Sequence, residues 1–60
     1  MVTYLVNLVL PKVGDSMSCA EYRELLINMG YSFCKAIGSL GGASVAGTIE
    51  IRDRMVTRMQ

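Results

Sequence analysis

Sixty residues carrying six Lys and Arg against five Asp and Glu, with no His and two cysteines, describe one nearly neutral domain at the lower edge of independent stability. That inventory excludes histidine-based acid–base chemistry, leaves a structural zinc site short of ligands and falls short of a disulfide framework. A net charge of +1 is neither the field of a nonspecific nucleic-acid binder nor the surface of a DNA mimic.

The first eleven residues bear no charged side chain, and Val2, Tyr4, Val6, Leu8 and Leu10 alternate with Thr3, Leu5, Asn7 and Val9. Period-2 reading gives a strand that is largely apolar on both faces. With 52% hydrophobic residues in so short a chain, a second copy is the expected cover, with Tyr4, Val6, Leu8 and Leu10 as the oligomer interface. Pro11 and the turn residues Gly14, Asp15 and Ser16 close this element.

A helix is expected next. Ser18 and Glu21 have the spacing of a capping box, and Tyr22, Leu25, Leu26 and Met29 recur at helical intervals. Gly30 admits two readings. As a left-handed residue just past the helix it releases residues 31–37 as a strand; as a solvated interior glycine it lets the helix run on through Phe33, Ile37 and Leu40. The alternation of Tyr31, Phe33, Lys35 and Ile37 favours the strand. Gly38 to Gly42 then read as a loose turn and residues 44–52 as a strand, with Gly47 at a bulge. Residues 53–60 fit either a helix, with Ile51, Met55 and Met59 four apart, or a continued strand. The expected fold is a single α+β domain over residues 1–60, ordered β-α-β-β, one helix packed on an antiparallel or mixed sheet and completed by dimerisation.

No catalytic constellation emerges. Glu21 caps, Glu24 lies on the solvated helix face, and Glu50 and Asp53 alternate with arginines. Cys19 falls in a first helical turn, where the macrodipole favours a thiolate, but no histidine is present to partner it; Cys34 reads as packing. The glycines lack the Lys-Ser/Thr and strand-to-helix context of a phosphate loop. A ribbon reading DNA with the first strand would need polar outward side chains, and Leu5 and Val9 cannot read base edges. The most function-like surface is the basic tail, Arg52, Arg54 and Arg58 with Met55, since Arg anchors interfaces and Met adapts to partners.

The expectation is a non-enzymatic, homodimeric protein-interaction module acting as a regulator or inhibitor of a partner protein, without metal or cofactor. The alternative is a nucleic-acid-binding dimer in which Lys35 joins Arg52, Arg54 and Arg58 along one groove. An oligomeric enzyme or ligand binder has the weakest support. No basic segment precedes the apolar start as a signal peptide requires, and no apolar run approaches the ~20 residues of a membrane span, so a cytoplasmic protein is expected.

Overall fold

The computed structural model of the protein describes residues 2–60. It is α+β, with three helices and one three-stranded antiparallel sheet. The order is α1 (Val2–Val9), β1 (Ser16–Ser18), α2 (Cys19–Asn28), α3 (Phe33–Val45), β2 (Ile49–Arg52) and β3 (Met55–Arg58). In the sheet β3 lies between β1 and β2, with Met17 opposite Val56 and Ile51 opposite Val56 from the other side. This departs from the expected β-α-β-β order: α1 and α3 stand where strands were expected, β1 is an added strand, the turn expected at Gly38 to Gly42 lies inside α3, and the strand expected over residues 44–52 is confined to Ile49–Arg52.

The first correction is α1, where a strand was expected; Met1 lies outside the described residues. Nearly every position there is apolar, so a period of 2 and a period of 3.6 both fit. The helix buries Leu5, Val6, Val9 and Leu10 as one stripe and leaves Tyr4, Asn7 and Leu8 outside. Its two turns are held by tertiary packing against α2 and α3, which overrides the strand preference of Val6 and Val9.

The second correction lies at residues 31–37. Gly30 does end α2 in the left-handed region, at φ +102°. Its N–H donates to the Ile27 carbonyl at 3.0 Å and the Tyr31 N–H to the Leu26 carbonyl at 3.1 Å, a Schellman closure with Tyr31 packed back on the core. The next element is α3 rather than a strand. Ser32 caps it, accepting from the Lys35 N–H at 3.1 Å, and the buried stripe Ala36, Ser39, Leu40 and Ala43 fixes the helix across its glycines. Gly47, at φ +80°, closes α3 in the same way: its N–H meets Ser44 and the Thr48 N–H meets Ala43. It is a helix terminator and not a bulge.

The tail resolves as strand. Asp53 and Arg54, both at positive φ (50° and 66°), form the two-residue turn of the β2–β3 hairpin, matching the twist of its strands. The expected cap of α2 is present: the Glu21 N–H donates to Ser18 Oγ at 3.1 Å.

The core gathers the α1 stripe with Tyr22, Leu26, Ala36, Leu40, Ala43, Ile49 and Val56. Within it the fully buried Tyr22 hydroxyl shares a hydrogen bond of 2.7 Å with Ser39 Oγ, tying α2 to α3. Burial raises the Tyr22 pKa above its ordinary 10.0, against the lowering effect of the Ser39 bond. The stability this group contributes is therefore complete below pH 10.0 and is lost as pH rises through the folded-state value.

Tyr22→Phe and Ser39→Ala should each cost about 1–3 kcal/mol, because each leaves a buried hydroxyl without a partner, and the double variant should cost less than the sum. Additive losses in denaturant titrations would show that the bond carries no coupling. Gly30→Ala should lower stability by about 1–2 kcal/mol through left-handed strain; a raised melting midpoint would place Gly30 in a helical conformation instead.

Candidate functional site

The N-terminal end of α2, the middle of α3 and the hairpin turn converge on one open cleft of about 530 Å³, lined by Ser18, Cys19, Ala20, Arg23, Ile37, Leu40 and Arg54. Three local features place these side chains. The Ser18 cap starts α2 at the cleft wall, and the Cys19 N–H donates to the Arg54 carbonyl at 2.8 Å, tying the hairpin turn to that helix end. Ala20, Arg23, Glu24 and Ile27 recur at helical spacing on α2, and with Phe33 they line a second hollow of about 250 Å³ sharing Ala20 and Arg23 with the first.

The combined surface has an apolar floor and a charged rim, with Arg23 and Arg54 at the cleft and the Glu24 carboxylate at the second hollow. Ile37 and Phe33 stand 42% and 57% exposed. Arg23 lies with its guanidinium carbon 5.8 Å from the Phe33 ring centroid, within cation–π range, while its Nε is buried with no hydrogen-bond partner. A buried donor left unpaired is costly, and Arg23 recovers that cost only by turning its guanidinium outward to meet an acceptor. Cys34, Gly38, Gly41 and Val45 on the outward side of α3 are exposed and carry no base-reading group, and the exposed polar side chains of that helix are Lys35 and Ser44.

The arginines expected to act together are separated by the hairpin. Arg52 projects from β2 beside Met55, its cross-strand neighbour, with its guanidinium 3.5 Å from Glu50. Arg54 sits in the turn at the cleft. Arg58 turns to the body of the protein, donating from Nη1 to the Leu10 carbonyl at 2.8 Å and from Nε to the Gln60 carbonyl at 2.7 Å. It thus caps the C-terminal end of α1, where a cation is favourable. Lys35 stands exposed in the first turn of α3. Of the four residues expected at an oligomer interface, Val6 and Leu10 are buried inside this chain's own core, while Tyr4 and Leu8, one turn apart on α1, face outward.

Sequence reasoning missed Cys19, Ala20, Arg23 and Ile37 as a group. The signal that could have found them was Ser32 as a second cap: with α3 recognised, Ile37 falls beside α2. Both cysteines are free, Cys19 partly buried at the cleft and Cys34 exposed. Among the described residues no three His, Cys, Asp or Glu side chains cluster as metal ligands, and no helix is long and apolar enough to cross a membrane. The chain matches no protein-family model, no curated protein and no solved structure.

The internal role of Arg58 is testable. Arg58→Ala should cost about 1–3 kcal/mol by leaving the Leu10 carbonyl without its charged donor. Exposed Arg52→Ala should change the melting midpoint little; equal effects of the two substitutions would contradict the placement.

Proposed function

We propose that the protein is a non-enzymatic binding module that docks a segment of another protein in the cleft between α2, α3 and the hairpin turn, and so regulates or inhibits that partner. The observation that carries this reading is the combination of an apolar floor, Ala20, Ile37 and Leu40, with Arg23 and Arg54 at its rim. Such a surface suits a segment that inserts an aliphatic or aromatic side chain and sets a carboxylate against the arginines. Apolar anchors in desolvated pockets supply most binding energy at protein interfaces, and charge complementarity supplies orientation.

A DNA-binding reading has one observation in its favour. Helices α2 and α3, joined by the four residues Met29, Gly30, Tyr31 and Ser32, have the connectivity of a helix-turn-helix, with α3 in the position of the helix that enters the major groove. Connectivity is a fold-level analogy, and the glycines on the outward face of α3 leave Lys35 and Ser44 as its exposed polar side chains, a sparse set for reading base edges.

A peptide-display selection against the whole protein, followed by titration of selected peptides and of a random-sequence DNA duplex over a salt series, separates the two. Docking at the cleft should enrich peptides that place an acidic residue beside an apolar one. Ile37→Asp should abolish their binding, Arg23→Ala should weaken it by roughly tenfold, consistent with loss of one charge-assisted contact, and the salt slope should be shallow. Duplex binding with a steep negative salt slope, together with no peptide enrichment, would replace this reading with phosphate recognition.

A further inference from the structure

The hairpin has a second unoccupied feature, on the side away from the cleft. Strand β2 is paired only with β3, so one of its edges is free among the described residues. The phase of the ladder tells which groups that edge presents. The Met59 N–H donates to the Thr48 carbonyl at 2.8 Å, so Thr48 directs its backbone groups to the β3 side, and by the two-residue alternation of an antiparallel pair so do Glu50 and Arg52. The N–H and C=O of Ile49 and Ile51 therefore point away from the sheet. The Ile51 side chain is 40% exposed, at the mouth of a hollow of about 530 Å³ that Ser44, Gly47 and Met59 also line.

We infer that this edge pairs with the same edge of a second copy, antiparallel, with Ile51 opposite Ile51 on the two-fold axis. This one register satisfies three independent requirements. The Ile51 backbone groups of both copies face each other as a hydrogen-bonded pair, so donor and acceptor are matched across the axis. Glu50 of each copy falls opposite Arg52 of the other, and Arg52 opposite Glu50, so both flanking pairs are attractive; opposite charges directly across a strand pair stabilise it and like charges destabilise it. The two Ile51 side chains, each 40% exposed, meet on one face and cover one another. Moving the axis by one residue in either direction sets Glu50 or Arg52 opposite the same residue of the other copy.

The result is a six-stranded sheet with β2 of each copy at its centre. It explains how an edge strand without proline and with alternate isoleucines is covered. The contact is short, closer to the small end of specific interfaces than to an obligate dimer, so it forms at high protein concentration and exchanges quickly. It does not rest on the docking cleft, and a failure of either leaves the other standing.

Sedimentation equilibrium over a concentration series tests the register directly. Wild-type protein should dimerise reversibly. Glu50→Arg alone and Arg52→Glu alone should each weaken self-association by roughly tenfold or more, because both flanking pairs become repulsive. The double variant E50R/R52E should recover it, and an equimolar mixture of the two single variants should form a heterodimer that neither forms alone. Circular dichroism checks each fold; the Glu50 and Arg52 side chains are 49% and 77% exposed and lie outside the core. As a measurement that uses no variant, the Ile51 amide, which has no acceptor among the described residues, should gain hydrogen-exchange protection as concentration rises. A wild-type chain that stays monomeric at the highest concentration, a dimer indifferent to both charge changes, or an Ile51 amide whose exchange is independent of concentration would overturn the proposal.

Discussion

The hydrogen bond between Tyr22 and Ser39 governs the geometry on which the remaining structure depends. It is the buried polar contact between α2 and α3, and with both hydroxyls out of water it is satisfied only when the two helices sit at one separation and rotation. Apolar packing by Leu26, Ala36, Leu40 and Ala43 supplies the driving force but tolerates small slips; the hydroxyl pair does not. Because the cleft wall is made by Ala20 and Arg23 on one helix and Ile37 and Leu40 on the other, the same bond that orients the helices sets the width of the cleft.

A chain this short buries a core by ending its elements economically. The radius of gyration of 9.9 Å is close to the ~10 Å of a compact chain of its length. Two Schellman closures at Gly30 and Gly47, two serine caps at Ser18 and Ser32, and a two-residue hairpin turn at Asp53 and Arg54 join the elements with little irregular chain. Arg58 adds the last closure by reaching from β3 to the carbonyl of Leu10, just past α1. Two positive-φ residues that are not glycine in that hairpin turn are a local cost, offset by the strand pairing the turn permits.

Local punctuation was legible at α2 and missed at α3, where the Ser32 cap went unread and the Gly47 terminator was taken for a bulge; hydrophobic period was legible only where polar residues interrupt it. Ser18 with Glu21 marked the start of α2, and Gly30 marked its end, because each has a short-range mechanism that neighbours cannot alter. The first ten residues offered no contrast between faces, so alternation could be read into a helix whose true stripe is Leu5, Val6, Val9 and Leu10. Residues 33–45 failed for a different reason: Phe33 and Ile37 carry strand propensity and three glycines oppose a helix, yet burial of Ala36, Ser39, Leu40 and Ala43 against α1 and α2 outweighs both. That error propagated to the site. The arginine cluster was assembled from positions close in sequence, whereas the hairpin register sends Arg52, Arg54 and Arg58 to three different environments.

The hairpin would also let the two proposed surfaces coexist on so small a protein. Its turn, through Arg54, closes the cleft on the side of β1 and α2, while its free edge lies on β2, across β3 from that cleft. Pairing two copies along β2 therefore leaves both clefts open and holds them in fixed relation about the axis. A partner carrying two acidic-apolar segments would then engage the second cleft at the high effective concentration that a rigid connection gives, so weak sites and a weak dimer reinforce one another through linkage. Neither surface would need to be large for this to work, which suits a chain of 60 residues with an accessible surface of 3823 Å².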